Sequence, residues 1–137
     1  MGAANLSVAQ ADFVARQRVA HLATVTAAGG PHVVPISPAL AEDRIVFATD
    51  VDSQKLRNLR GDPNVALCFD EYTEVWSELK QVVVFGRALL VQSGPEFTRD
   101  RGLLYEKFGQ YEKDFPIEEG GSLLVEVAIE RVSSFGL

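Results

Sequence analysis

The amino-acid sequence predicts a mainly β fold of the α+β kind: about six largely antiparallel strands closing into a small barrel, with short helices at the connections. Three observations carry this expectation. Runs of strand length, rich in β-branched residues, recur along the chain, and each is bounded by Gly, Pro, Asp or Asn. The runs succeed one another mostly through turns, which is hairpin order and hence antiparallel pairing. The last run alternates, with Val125, Val127 and Ile129 set against Glu126, Ala128 and Glu130, so that one face is buried and one is wet. At 137 residues the chain is long enough for one domain with its own core and too short for two.

The elements follow in order. Ser7 and Gln10 have capping-box spacing, and Val8, Ala11, Phe13 and Val14 give the first short helix a mostly apolar face. Val19 to Thr26 reads as a strand, Ala27-Ala28-Gly29-Gly30 as a turn, and Pro31 to Ile36 as the second arm of a hairpin. Pro35 cannot donate to a ladder, so this strand is an edge, a bulge, or a place where something other than a strand faces the backbone. Glu42-Asp43 turns into a third strand, Arg44 to Thr49, after which Ser53 can cap a helix from Gln54 to Arg60 that stops at Gly61-Asp62-Pro63. Asn64 to Phe69 is a fourth strand, and the acidic stretch Asp70 to Glu78 is a connection. The fifth strand, Gln81 to Val91, carries Gly86 in mid-run, the mark of a bulge or a tight bend. Pro95 stands where a helix over Glu96 to Phe108 begins, with Leu103, Leu104 and Phe108 as its apolar side. A polar loop through Pro116 to Gly121 leads to the final strand.

Composition excludes several classes of function. Hydrophobic residues make up 47% and charged residues 23%, the balance of a folded chain rather than a disordered one. With 13 Lys+Arg against 19 Asp+Glu the formal charge is -6, a poor match for sequence-independent nucleic-acid binding. One cysteine rules out an internal disulfide framework and a Cys-rich zinc site, and two histidines alone cannot complete a His-rich metal site. No segment approaches the ~20 apolar residues of a membrane span. The stretch from Met1 to Leu6 lacks the charged and apolar regions of a signal peptide, and Ser7 lies one position too late for a myristoylation pattern. The expected location is the cytoplasm, where the thiol stays reduced.

The usual catalytic constellations are absent: there is no Gly-rich phosphate loop, GxSxG, HExxH or CxxC. Cys68, inside an apolar strand, reads as a core residue; His21 and His32 read as packing or hydrogen-bonding groups. Glu118-Glu119 reads as a solvated turn. Any demanding chemistry is therefore expected to come from a cofactor. One segment has the makings of a phosphate cradle. From Thr49 to Lys55 the chain runs from a strand end to a helix start, with hydroxyls at Thr49 and Ser53 and a lysine in the first turn. The plainer reading makes Ser53 an N-cap and Lys55 a surface charge, and Asp50 and Asp52 must point away if an anion is to bind.

In the order and spacing of its parts the chain resembles the pyridoxamine 5'-phosphate oxidase-like group of split β-barrel flavoproteins. The resemblance is carried by Ala23-Thr24-Val25, the run Gly30 to Pro35, and Phe47-Ala48-Thr49 followed by Ser53-Gln54-Lys55. The helix Leu56 to Arg60 ending in Asp62-Pro63-Asn64-Val65, and Gln81 to Gly86 with Ala88, complete it over most of residues 13 to 91. No single motif is specific; the ordered set is. The resemblance implies the FMN-binding split-barrel fold and a homodimer with FMN, or its deazaflavin relative coenzyme F-420, in two clefts between the subunits. It places Thr49, Ser53 and Lys55 at phosphate-binding positions, with Gln54 at a position that is often Arg and Ala48 beside them. Val33, Val34, Pro35, Ile36 and Ser37 match the strand that runs along the isoalloxazine, and Gln81 matches a polar position near the flavin. The chain departs from the oxidases proper in two ways. Val33 to Leu40 holds no basic residue, and after Ser133-Ser134-Phe135-Gly136-Leu137 there is no segment with the Arg/His pair that binds pyridoxal phosphate, which argues against that activity.

The leading expectation is a small dimeric FMN-dependent oxidoreductase acting by hydride transfer at flavin N5 on a small-molecule substrate. A second keeps the fold and exchanges the cofactor for coenzyme F-420, whose acidic tail would want a basic groove to which Arg57 and Arg60 could contribute. A third is a non-catalytic module that binds flavin or haem, the latter needing His21 or His32 as its axial ligand. Trp76, in the acidic connection, is placed to reach the flavin of a partner subunit or to pack beneath its own loop.

Overall fold

The apolar runs form strands and the turn signals separate them, as a computed structural model describes for residues 5–137. The expectations for Met1 to Ala4 lie outside the described residues. The strands are β1 (Ala20–Val25), β2 (Pro31–Ile36), β3 (Ala39–Leu40), β4 (Arg44–Asp50), β5 (Asn64–Glu71), β6 (Lys80–Val91) and β7 (Ser122–Phe135). They make one curled antiparallel sheet in the order β2-β1-β5-β6-β7-β4-β3. Short helices flank it: α1 (Val8–Arg16), α2 (Gln54–Gly61), α3 (Gly94–Lys107) and α4 (Gln110–Asp114). This is the split-barrel architecture, a half-open barrel with β2 at one edge of the sheet.

Local chemistry explains most boundaries. Ser7 accepts from the Gln10 N–H at 3.1 Å while Gln10 accepts from the Ser7 N–H at 2.9 Å, a complete capping box. In the β1–β2 hairpin Gly29 sits at φ +87°, open to glycine at little cost, and Thr26 Oγ1 holds the Gly30 N–H. Pro35 is tolerated because β2 is an edge strand, paired only with β1, where Pro35 stands opposite His21. The register of β6 and β7 shifts between Phe85 and Gly86, but the extra residue is Glu130, on β7. Gly86 lies where that shift brings the strands together: a Cβ there would stand 2.2 Å from the Ala128 carbonyl oxygen.

Two cores lie on either side of β4 and the start of β7. Inside the curl, Phe13 from α1 packs with Phe47, Leu67, Val84 and Val127. Outside, α3 lays Phe97, Leu104 and Phe108 against Val46 and Leu124. The uninterrupted run Ile45-Val46-Phe47 is thereby buried on both faces of its strand. α3 is pinned by charge as well. Its fully buried Asp100 takes an ion pair from Arg44 on β4 at 3.1 Å and one from Arg99 at 3.3 Å, and Arg99 also reaches Glu126 on β7 at 2.9 Å.

Several expectations are corrected. There are seven strands rather than about six, because β3 is a two-residue strand too short to leave a pattern, and β7 runs on to Phe135 by pairing with β6 alone. A turn of 3-10 helix, Trp76–Glu78, occupies the acidic connection, and α4 lies within the segment read as loop. Val8 is almost fully exposed, so α1 buries only Phe13 and Val14. Cys68 is half-buried on the outer face of the sheet, not in the core.

Candidate functional site

The end of β4 and the start of α2 bring three of the expected phosphate-binding groups together. The Thr49 and Ser53 hydroxyls are 2.6 Å apart, and Ser53 Oγ also accepts from the Leu56 N–H at 3.2 Å, so it is the N-cap of α2. The first N–H groups of the helix have no intrahelical acceptor, and its first turn carries no acidic residue. Lys55 is half-buried and has no ion-pair partner among the described residues. Two hydroxyls, a helix N-terminus and a free ammonium suit a phosphate dianion.

Ala48, Thr49, Asp50 and Lys55 line a cleft of about 290 Å³ whose far wall is Tyr111, Phe115, Pro116 and Ile117. Asp50 is exposed at this mouth. Burial pushes the Tyr111 phenol up, the neighbouring Ser37 hydroxyl works the other way, and the Asp50 charge adds to the rise, so Tyr111 keeps its proton at neutral pH. Ser37, the residue after β2, is thus a neighbour of Tyr111. No feature of the sequence marks Tyr111 or Phe115, which come from a short helix and its exit some sixty residues beyond Lys55.

The other expected residues are distributed differently. Gln54 turns away from the cleft: its amide donates to Asn58 at 2.7 Å and its oxygen accepts from Arg57 at 3.0 Å. Buried Asn58 in turn donates to buried Thr24 at 3.0 Å, so this chain of bonds ties α2 to β1. Gln54 and Arg57 line a second cleft of about 570 Å³, on the side of α2 that meets the β1–β2 turn. On β2, Ile36 is buried in the core and Val34 is half-buried, while Val33 and Pro35 are exposed along the free edge. Gln81 is not brought to the cradle within one chain. It faces a cleft of about 410 Å³ with Asp70, Tyr72, Lys80 and Phe135, on the outer side of the sheet. Among the described residues no group of three or more His, Cys, Asp or Glu side chains could hold a metal ion. His21 is exposed on the outer face opposite Cys68, and His32 is half-buried with Nδ1 unpartnered.

A family model described as pyridoxamine 5'-phosphate oxidase matches residues 6–136. Among solved structures, a conserved hypothetical protein from Mycobacterium tuberculosis is 26% identical with a TM-score of 0.80, over 95% of this chain and 84% of that one. HutZ, a heme storage protein from Vibrio cholerae, is 18% identical with a TM-score of 0.79, over 96% and 94% of the two chains. A structure described as an F420 reductase is 22% identical with a TM-score of 0.67, over 89% and 94%. No curated protein matches the chain.

Proposed function

Because the chain belongs to the pyridoxamine 5'-phosphate oxidase family, we propose that it binds a phosphorylated flavin-type cofactor as a homodimer and uses it to reduce or oxidise a small molecule. The observation that carries this is the pairing of the Thr49 and Ser53 hydroxyls at 2.6 Å beside the unpaired Lys55 ammonium. When bound, the cofactor supplies hydride chemistry. The residues supply the rest. Lys55 and the helix N-terminus neutralise the phosphate, and the free edge of β2 from Val33 to Ser37 offers main-chain groups to the ring. Tyr111, Phe115 and Ile117 keep water from one wall. No side chain here is required as acid or base, in keeping with the empty catalytic inventory.

Coenzyme F-420 is the favoured cofactor and FMN the second. The fold is shared with a structure described as an F420 reductase. Arg57 stands exposed on α2 beside the larger cleft, where an acidic tail extending past the cradle would meet it. The haem-binding alternative is supported by likeness to HutZ in fold alone, and it draws on His21 or His32, neither of which faces a built cavity with a second ligand. The test is the absorption spectrum of the purified protein after addition of each cofactor and gel filtration. A retained F-420 spectrum, lost in Lys55→Ala with unchanged thermal stability, is the expected result. Retention of neither cofactor, or full affinity in Lys55→Ala, sinks the assignment.

A further inference from the structure

Helix α3 presses charge as well as apolar surface onto the sheet. Asp100, in its middle, is 0% exposed, and a carboxylate is tolerated at that depth only where its charge and its lone pairs are met. One of its oxygens is met and the other is not. Oδ1 takes Arg44 Nη2 at 3.1 Å and Arg99 Nε at 3.3 Å, while Oδ2 is buried and makes no hydrogen bond to a donor side chain. The same two guanidiniums clasp a second acid. Glu126 Oε2, on β7, takes Arg99 Nη2 at 2.9 Å and faces Arg44 Nε at 3.5 Å, and the Glu126 side chain is 12% exposed. Each arginine spans both acids along one edge, which sets the two carboxyls side by side. The residues opposite Glu126 on the flanking strands are Val46 and Leu89, which have no side-chain donor to offer.

A proton supplies what the arginines leave open. Two ionised carboxyls held against each other repel, whereas a protonated one donates to its neighbour and satisfies the buried oxygen. Charge balance agrees. Arg44 and Arg99 are the cations of the cluster, and Asp43, exposed at the turn before β4, faces Arg44 Nη1 at 3.3 Å. With Glu126 neutral, two cations meet two carboxylates, Asp43 and Asp100. We propose that Asp100 and Glu126 hold one proton between them, donated to Asp100 Oδ2, and that its loss loosens α3 from β4 and β7. Burial pushes the Glu126 carboxyl up, Asp100 adds to the rise by hydrogen bond and by charge, and Arg44 and Arg99 work against it. A folded value above the ordinary 4.5 means that the clamp is complete below 4.5 and is lost as pH rises through the folded value. The clamp also reaches the smaller cleft. α3 leads into Phe108, whose ring meets that of Tyr111 edge-on at 6.0 Å, and Tyr111 stands in the cleft wall. Rising pH thus acts at Glu126 and slackens the wall at Tyr111.

Glu126→Gln tests it, because the amide keeps the shape, cannot ionise and still donates to Asp100. The unfolding free energy of wild type minus that of Glu126→Gln, from urea denaturation, should fall as pH rises above 4.5 and level off once the native state has released the proton. Lys107, which titrates at about 8, and the exposed carboxyls are common to both proteins and cancel in the difference. A packing defect in the variant offsets the whole curve without bending it. A difference that is flat or rises with pH overturns the proposal, since the folded protein then holds no proton that the unfolded chain has lost. A measurement on wild type alone stands even if the variant fails to fold. In its infrared spectrum the band of one protonated carboxyl should persist as pH rises after those of the exposed acids have gone; if none outlasts them, the proposal fails. The reach to the cleft is read by hydrogen exchange of the two proteins at equal pH. Amides of α3 and α4 should exchange alike at pH 4.5 and faster in wild type above it. The expected excess is about tenfold for each pH unit over which the native state keeps a proton that the unfolded chain has lost. Faster exchange in α3 with α4 unchanged refutes the link to Tyr111.

Discussion

Lys107 shows how one side chain can connect three parts of the molecule at an electrostatic cost. Its Nζ donates to the Gln17 carbonyl at 2.6 Å and to the Pro38 carbonyl at 2.8 Å, fastening the end of α3 to the exit of α1 and to the β2–β3 link. Burial, helped by the nearby Arg18 charge, lowers its pKa from 10.5 to about 8. The folded state therefore gives up this proton more readily than the unfolded chain does. Stability from the neutral amine is fully present above about 10.5 and is lost as pH falls through about 8. The Lys107→Met variant cannot titrate at this position. The unfolding free energy of wild type minus that of the variant should rise between pH 8 and 10.5 and be flat below, as measured by urea denaturation at fixed ionic strength. A difference that falls across the same window would show that the ammonium is the stabilising form.

The residue scale is also where sequence reading loses its grip. Thr49, Ser53 and Lys55 are legible because a strand end and a helix start are local features, and the cap bonds follow from spacing alone. Tyr111 is not, since only the folding of α3 and α4 brings it across to Lys55. The side on which Cys68 lies is hidden for a related reason. In an apolar run such as Val65 to Phe69 the phase of the two-residue period is hidden, and only the registers with His21 and Val83 show that Cys68 faces outward. Buried Asp100 is equally silent: as one charge among several on α3, it gives no sign of the two arginines it will meet.

Among the elements, β6 and β7 form the longest pairing, and Gly86 is the point on which that pairing depends. The mid-strand glycine was readable as an irregularity, but which strand carries the extra residue is a property of the pair. Glu130 is squeezed out of β7, and the Ala128 carbonyl and the Val127 side chain crowd the space a Cβ at position 86 would need, at 2.2 and 2.8 Å. Backbone cannot retreat as a flexible side chain can. Gly86→Ala should therefore destabilise the protein by about 1–3 kcal/mol or more, seen as a lower denaturation midpoint. Gly102→Ala, in α3 with nothing within 4 Å of the added methyl, is the control and should be neutral or slightly stabilising. Equal stability of the Gly86→Ala variant would mean that β7 can shift register and that the bulge is not fixed by this contact. The short β3 and α4 escaped the sequence reading because two and five residues are too few to express a period, whereas β4 was easy: three consecutive apolar residues require burial on both faces.

At the scale of the whole molecule, the outer face of β1, β5 and β6 is the largest feature the isolated chain leaves unexplained. The registers put Ala23, Ala66 and Phe85 in one row and His21, Cys68 and Val83 in the next, so small and apolar groups fill the middle of the sheet surface. Phe85, half-buried in this face, has the Arg131 guanidinium over its ring, 3.8 Å from the centroid. A stable interface removes about 800 Å² from each partner, roughly a tenth of the 7771 Å² of this chain. The sequence indicated pairing only through family resemblance, since alternation cannot distinguish a wet face from one that a second copy will cover. If this face is the dimer interface, Val83→Glu introduces a carboxylate from each subunit into it while leaving the inward-facing Val82 and Val84 untouched. The variant should keep its far-ultraviolet circular dichroism, sediment as a monomer, and lose at least about tenfold in cofactor affinity, because a shared cleft has lost its second wall. A Val83→Glu protein that remains a dimer places the interface elsewhere. A monomer that binds cofactor as tightly as wild type places the whole site within one chain, and the cradle at Thr49, Ser53 and Lys55 would then have to hold the ligand unaided.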